Sequence, residues 1–222
     1  MRPSLRSRFA RRSCRRGFTL IEVLISVTLT VVLATAVALA ASRGYGAYHT
    51  TQRNNAVESN VRQALDRAAR ELLSSGLAVI APSNIDDDFG TSDLVFQQAT
   101  GQVNGAITWG NPVRLVLEYE SDELDNGLDD NGDGRVDEGV LVFVRDDGLA
   151  SETRAVLCHG VREFLEGETD DDADENGNGI IDEGGFNLHR SGDVLTLRLT
   201  LEETDESTSV IRTLETSIRL RN

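Results

Sequence analysis

RRGFTLIEVLISVTLTVVLATAVALAA, residues 15–41, sets two arginines before an apolar run interrupted by a single acid, Glu22. From Phe18 to Ala41 the run has 24 residues and no proline, which as a helix extends about 36 Å and can span a bilayer with some tilt. A carboxylate in hydrocarbon costs several kcal/mol and calls for a cationic partner. No Lys, Arg or His lies between Phe18 and Ala41 to provide one. A cut between Gly17 and Phe18 would create an α-amino group one helical turn from Glu22, or beside the Glu22 of a neighbouring copy. The stretch therefore points to both a processing step and a partner.

Gly17, Phe18, Thr19, Leu20, Ile21 and Glu22 resemble the leader-peptidase site of type IV prepilins and type II secretion pseudopilins. Gly stands before the cut, Phe after it, and Glu fifth in the mature chain, behind a basic leader. The resemblance implies that a prepilin peptidase cuts after Gly17 and N-methylates Phe18. It also implies assembly through Phe18 and Glu22 with other pilin or pseudopilin subunits on an inner-membrane platform. Two other readings compete. Ala38, Leu39 and Ala40 could form the A-x-A site of a secretory signal peptide, although such a core is shorter and would not carry Glu22. Arg15, Arg16, Gly17, Phe18 and Leu20 partly match a twin-arginine export signal, against which Glu22 and the strongly apolar run also argue.

The 222 residues contain 22 basic residues, all Arg, and 37 acids. Seven arginines (Arg2, Arg6, Arg8, Arg11, Arg12, Arg15 and Arg16) precede the apolar run with no acid among them. That asymmetry holds the N-terminus in the cytoplasm, with the rest of the chain periplasmic beyond a bacterial inner membrane. Without residues 1–17 the balance is 15 Arg against 37 acids, a formal −22, which disfavours nucleic acid and anionic lipid headgroups as partners. Cys14 leaves with the leader and Cys158 stays alone, so no intramolecular disulfide forms in the mature chain. In the apolar stretch 155–158, Cys158 reads as a buried, inert thiol.

Beyond Ala41, Gly44 and Gly46 soften the helix where it leaves the membrane, either as a flexible joint or as a mere loss of propensity. Val57, Val61, Ala64, Leu65, Ala68 and Leu72 then fall on one helical stripe. Gly76 is the expected C-cap, ending the helix near Ser75. The expected divisions are a leader at 1–17, a transmembrane helix at 18–41, an amphipathic continuation at 42–75 and a β-rich periplasmic domain at 76–222. Within that domain, strands are expected at 94–97, 113–119, 140–145, 161–165, 194–201 and 210–220, the last two forming a hairpin through the acidic link 202–209. The fold class is α+β: a long helix packed on a mainly antiparallel sheet, in the order of the pilin fold.

Two acidic loops, at about 122–139 and 168–185, repeat. Residues 129–139 read DDNGDGRVDEG and residues 174–184 read DENGNGIIDEG, 45 residues apart. Asp129, Asn131, Asp133, the Arg135 carbonyl and Asp137 match positions 1, 3, 5, 7 and 9 of an EF-hand-like calcium loop, with Gly134 at the sharp turn. Asp174, Asn176, Asn178, Ile180 and Asp182 repeat the pattern, with Gly179 at the turn. The bidentate Glu of position 12 is missing, with Val140 and Gly185 in its place. Glu138 and Glu183, or Asp125 and Asp170 upstream, are the candidates to replace it. One or two calcium ions are expected, and the competing reading is a pair of solvated acidic loops.

His49, His159 and His189 are dispersed, with no metalloprotease, nucleophile-elbow or phosphate-loop motif around them, so no enzymatic activity is expected. The chain most resembles J-type minor pseudopilins and W-type minor pilins, through residues 158–164 (CHGVREF) and 218–222 (IRLRN). That resemblance implies a subunit at or near the tip of a type II secretion pseudopilus or type IV pilus. A membrane-anchored or secreted calcium-binding module that never assembles is the alternative.

Overall fold

The computed structural model describes residues 17–82, 85, 88–205 and 208–220. The leader arginines and Cys14 lie outside the described residues, as do Arg221 and Asn222. The chain divides into two compact units, Met1–His49 and Thr50–Asn222. One helix, α1 (Leu20–Leu72), enters both and runs unbroken past Gly44 and Gly46.

In the first unit the residues of α1 are exposed on every side. Its most apolar 18-residue window has a mean hydropathy of 2.5, and it is the one helix among the described residues long and apolar enough to cross a membrane. The hydroxyls in this run are satisfied within the helix: Ser26 donates to the Glu22 carbonyl at 2.7 Å, Thr30 to Ser26 at 2.7 Å and Thr35 to Val31 at 2.8 Å. Such back-bonding keeps polar side chains compatible with hydrocarbon.

In the second unit α1 buries Val57, Val61, Ala64, Leu65, Ala68 and Leu72, the stripe expected from their spacing. These side chains join one core with residues of an eight-stranded antiparallel sheet. The strands are β1 (Ile80–Ala81), β2 (Asp93–Val103), β3 (Ala106–Tyr119), β4 (Gly139–Arg145), β5 (Thr153–Val161), β6 (Phe186–Ser191), β7 (Val194–Asp205) and β8 (Thr208–Arg219). They lie in the order β1-β2-β3-β4-β5-β7-β6, with β8 paired to β7. A bridge from Thr91 to Leu188 links the segment before β2 to β6, curling the sheet.

Side-chain period explains which strands the sequence displays. Leu195, Leu197, Leu199 and Leu201 of β7 are all buried in the core. On the other face Thr196 meets Ser217 at 3.0 Å, Arg198 meets Glu215 at 3.2 Å and Thr200 meets Thr213 at 2.7 Å, a ladder of cross-strand polar pairs. β4 is apolar from Val140 to Val144 because both its faces are covered: Leu141 and Phe143 lie in the main core, while Val142 and Val144 form a second cluster with Val116.

The structure departs from the sequence expectations in several places. The helix ends at Leu72, and Gly76 has an extended backbone (φ −131°, ψ 157°) that opens a short 3-10 turn, Leu77–Val79, instead of capping α1. β2 runs six residues beyond the expected 97, in a polar hairpin arm with β3 that turns at Asn104 (φ 51°) and Gly105 (φ 84°). Backbone pairing and that turn hold the arm, so hydrophobic alternation does not mark it. The strand expected at 161–165 lies upstream as β5, which ends at Val161. β6 has only two core side chains, Phe186 and Leu188, too few to stand out by pattern. The β7–β8 hairpin is paired as far as Asp205 and Thr208, so most of the supposed acidic link is strand.

Two outcomes test this packing. Leu65→Ala is expected to destabilise the folded chain by about 2–5 kcal/mol in denaturant unfolding, whereas Leu33→Ala, at an exposed site of α1, is expected to leave that transition unmoved. Burial pushes the Cys158 thiol up to about 12. Peptide mapping after iodoacetamide treatment at neutral pH should therefore find Cys158 modified only once the chain is unfolded.

Candidate functional site

In the first unit, Glu22 closes a capping box at the start of α1. The Thr19 amide and hydroxyl donate to Glu22 Oε2 at 2.8 and 2.9 Å, and the Glu22 amide donates to Thr19 Oγ1 at 3.3 Å. This satisfies otherwise orphaned amides at the helix N-terminus and gives the carboxylate local donors. The signal was present in the sequence as Thr19-x-x-Glu22 before an apolar run. Phe18 and Gly17 immediately precede this cap, in non-helical backbone.

In the second unit the acidic segments prove to be one loop built twice, over more residues than the 129–139 and 174–184 repeat. The pairing of Tyr119 with Gly139 closes the first loop, and the bridge from Phe164 to Gly184 closes the second, at the same 45-residue offset. The Glu120 amide donates to the Glu138 carbonyl (3.0 Å) as the Leu165 amide does to Glu183 (2.8 Å). Within each loop the Glu123 amide donates to Glu120, and the Glu168 amide to Leu165. The left-handed positions recur too: Gly132, Gly134 and Asp137 at φ 79°, 88° and 48° against Gly177, Gly179 and Asp182 at 73°, 89° and 47°.

The aspartates organise these turns. Asp129 accepts from the amides of Gly132 (2.6 Å), Asp133 (3.2 Å) and Gly134 (2.9 Å), and Asp174 does the same for Gly177, Asn178 and Gly179. Asn131 accepts from the Asp133 amide, and Asp133 from the Arg135 amide, while the Arg135 guanidinium lies against the Asp133 carboxylate. That guanidinium holds Asp133 below the usual carboxylate range. Asp137 turns away to the amides of Asn126 (3.2 Å) and Gly127 (2.6 Å), as Asp182 does to Asp171 and Asp172. The ligand atoms of Asp125, Asp137 and Glu163 lie within 4.8 Å of one another. In this group burial, then Asp137 and Asp125, raise the Glu163 carboxyl.

Beneath each turn lies a pair of buried glutamates. Asn131 donates its amide to Glu123 Oε1 and its side chain to Glu138 Oε1, both at 2.8 Å. Asn176 repeats this with Glu168 at 3.2 Å and Glu183 at 3.1 Å. The missing position 12 now has a physical reason. A Cβ on Gly185 would lie 1.8 Å from the Arg162 carbonyl oxygen, and Val140 is held in the β3–β4 ladder opposite Glu118. The upstream carboxylates brought under the turns are Glu123 and Glu168, while Asp125 joins Asp137 and Glu163. Sequence reasoning missed Glu123 and Glu168, whose signal was their shared 45-residue offset.

No curated protein and no solved structure matches the chain significantly. Residues 12–38 match the family model of the prokaryotic N-terminal methylation motif. With one helix among the described residues long and apolar enough to cross a membrane, and an antiparallel sheet after it, that match supports a prepilin or pseudopilin family for this chain.

Proposed function

We propose that the chain is a minor pilin or pseudopilin: a structural subunit cut after Gly17 by a prepilin peptidase, N-methylated at Phe18 and assembled through Phe18 and Glu22 into a filament. The observation that carries this reading is α1 itself. Its residues 20–41 present apolar side chains on all sides, and Leu20, Ile21, Leu33 and Val37 are exposed. Such a surface needs lipid around it before assembly and neighbouring helices after it. The basic residues ahead of it favour an N-terminus in the cytoplasm and a β-domain in the periplasm. Resemblance at residues 158–164, at the end of β5 and on to the Phe164 bridge, favours a J-type or W-type subunit near the filament tip. One or both acidic loops serve as calcium sites that order the β-domain.

A second reading, a membrane-tethered calcium-binding module that never assembles, is favoured by the capping box, since Thr19 already satisfies Glu22 without a neighbouring subunit. Glu22→Ala separates the two in the native host. Assembly predicts loss of secretion or piliation while the chain still fractionates with the inner membrane. Unchanged secretion and piliation would support the tethered module.

A further inference from the structure

We propose that Arg43, Tyr45, Tyr48 and His49 form a collar on α1 that seats in the phospholipid headgroup layer on the periplasmic side of the membrane and sets how deeply the helix lies. This rests on reading residues 18–41 as a membrane span, and it adds a lipid contact beyond that span.

Residues 45, 48 and 49 follow an i, i+3, i+4 spacing, which gathers their side chains on one side of the helix. The His49 ring meets both tyrosines edge-on, with centroids 4.3 Å from Tyr45 and 6.0 Å from Tyr48. The cluster stays open to its surroundings, since Tyr45 and Tyr48 are 69% and 64% exposed. Aromatic rings of this size favour leaving water. At a membrane interface the ring can rest against the acyl boundary while the phenol stays among headgroups and water. Arg43 is exposed as well and, at about 100° per residue, lies about 200° round the helix from Tyr45. Headgroup-seeking side chains thus stand on opposite sides of α1 at one level. A protein partner docks on one face, whereas a lipid layer surrounds the helix, and the collar matches the lipid layer.

Depth and charge agree with this placement. The hydrocarbon core is about 30 Å thick, and the headgroup layers bring the bilayer to about 40–45 Å. The apolar run 18–41 is long enough to fill that core with some tilt, so the residues that follow Ala41 are the first to enter the headgroups. The acidity of the chain as a whole opposes contact with anionic lipid, but that acidity is kept away from the collar. Residues 1–57 contain one acid, Glu22, and the other 36 of the 37 lie from Glu58 onward. Cleavage after Gly17 would remove the seven leader arginines, leaving the collar as the main headgroup anchor of the mature helix.

The test is fluorescence quenching of the full chain reconstituted in phosphatidylcholine vesicles whose lipids carry bromine either near the glycerol end or near the methyl end of the acyl chain. Trp109, the one native tryptophan, is removed by Trp109→Phe. A single probe is then introduced by Leu33→Trp within the span or by Ala47→Trp within the collar. The Leu33→Trp probe is expected to be quenched most by the deep bromines, and the Ala47→Trp probe most by the shallow ones. Adding Tyr45→Ser and Tyr48→Ser should shift the Ala47→Trp emission to the red and reduce its shallow quenching, with the Leu33→Trp probe still quenched. An Ala47→Trp probe that no brominated lipid quenches, or that the two serine substitutions leave unchanged, would overturn the collar while the membrane span stands. A Leu33→Trp probe that no brominated lipid quenches would overturn the span and the collar together.

Discussion

One helix has to satisfy two solvents. Over residues 20–41 α1 carries apolar side chains around its whole circumference, which suits hydrocarbon or a bundle of like helices. From Val57 onward the same helix narrows to a single stripe against leucines and phenylalanines of the sheet. The stripe fixes the rest of the domain: alternate residues of β3, β4 and β7 must face it, and a one-residue slip of any of these strands would turn its core side chains outward.

The acidic excess of the domain is concentrated in a loop design used twice. In both copies aspartates cap backbone amides of tight turns, and two glutamates are buried below. The copies differ in how that buried charge is met. Arg198 reaches across from β7 to Glu183 in the second, whereas Arg135 in the first is engaged by Asp133. The same backbone thus supports a first loop in which Glu123 and Glu138 each keep an unpartnered buried oxygen and a second in which only Glu168 does.

Much of this was legible wherever burial imposes a period. The stripe from Val57 to Leu72, the leucines of β7 and the apolar run of β4 are each direct consequences of which faces are covered. Elements held by backbone pairing alone were not legible. The arm of β2 beyond 97 is polar, β6 offers only Phe186 and Leu188, and Gly76 looked like a C-cap until its extended backbone showed otherwise. In the loops, the Asp/Asn/Gly spacing revealed the turns. The buried role of Glu123 and Glu168 depends on loop closure at Gly139 and Gly184, a long-range constraint that local spacing does not carry.

In the proposed reading, Glu22 links the helix to processing. In the uncut chain its carboxylate rests on Thr19, and cleavage after Gly17 would place a charged amine within one helical turn, on its own chain or a neighbour's. The measurement that tests this most directly is N-terminal sequencing with intact mass of the chain purified from membranes of its native host. The account predicts a chain that begins at Phe18 and carries one N-methyl group. A chain that begins at Met1, or beyond Ala40 as a signal-peptide cut would leave it, would contradict it.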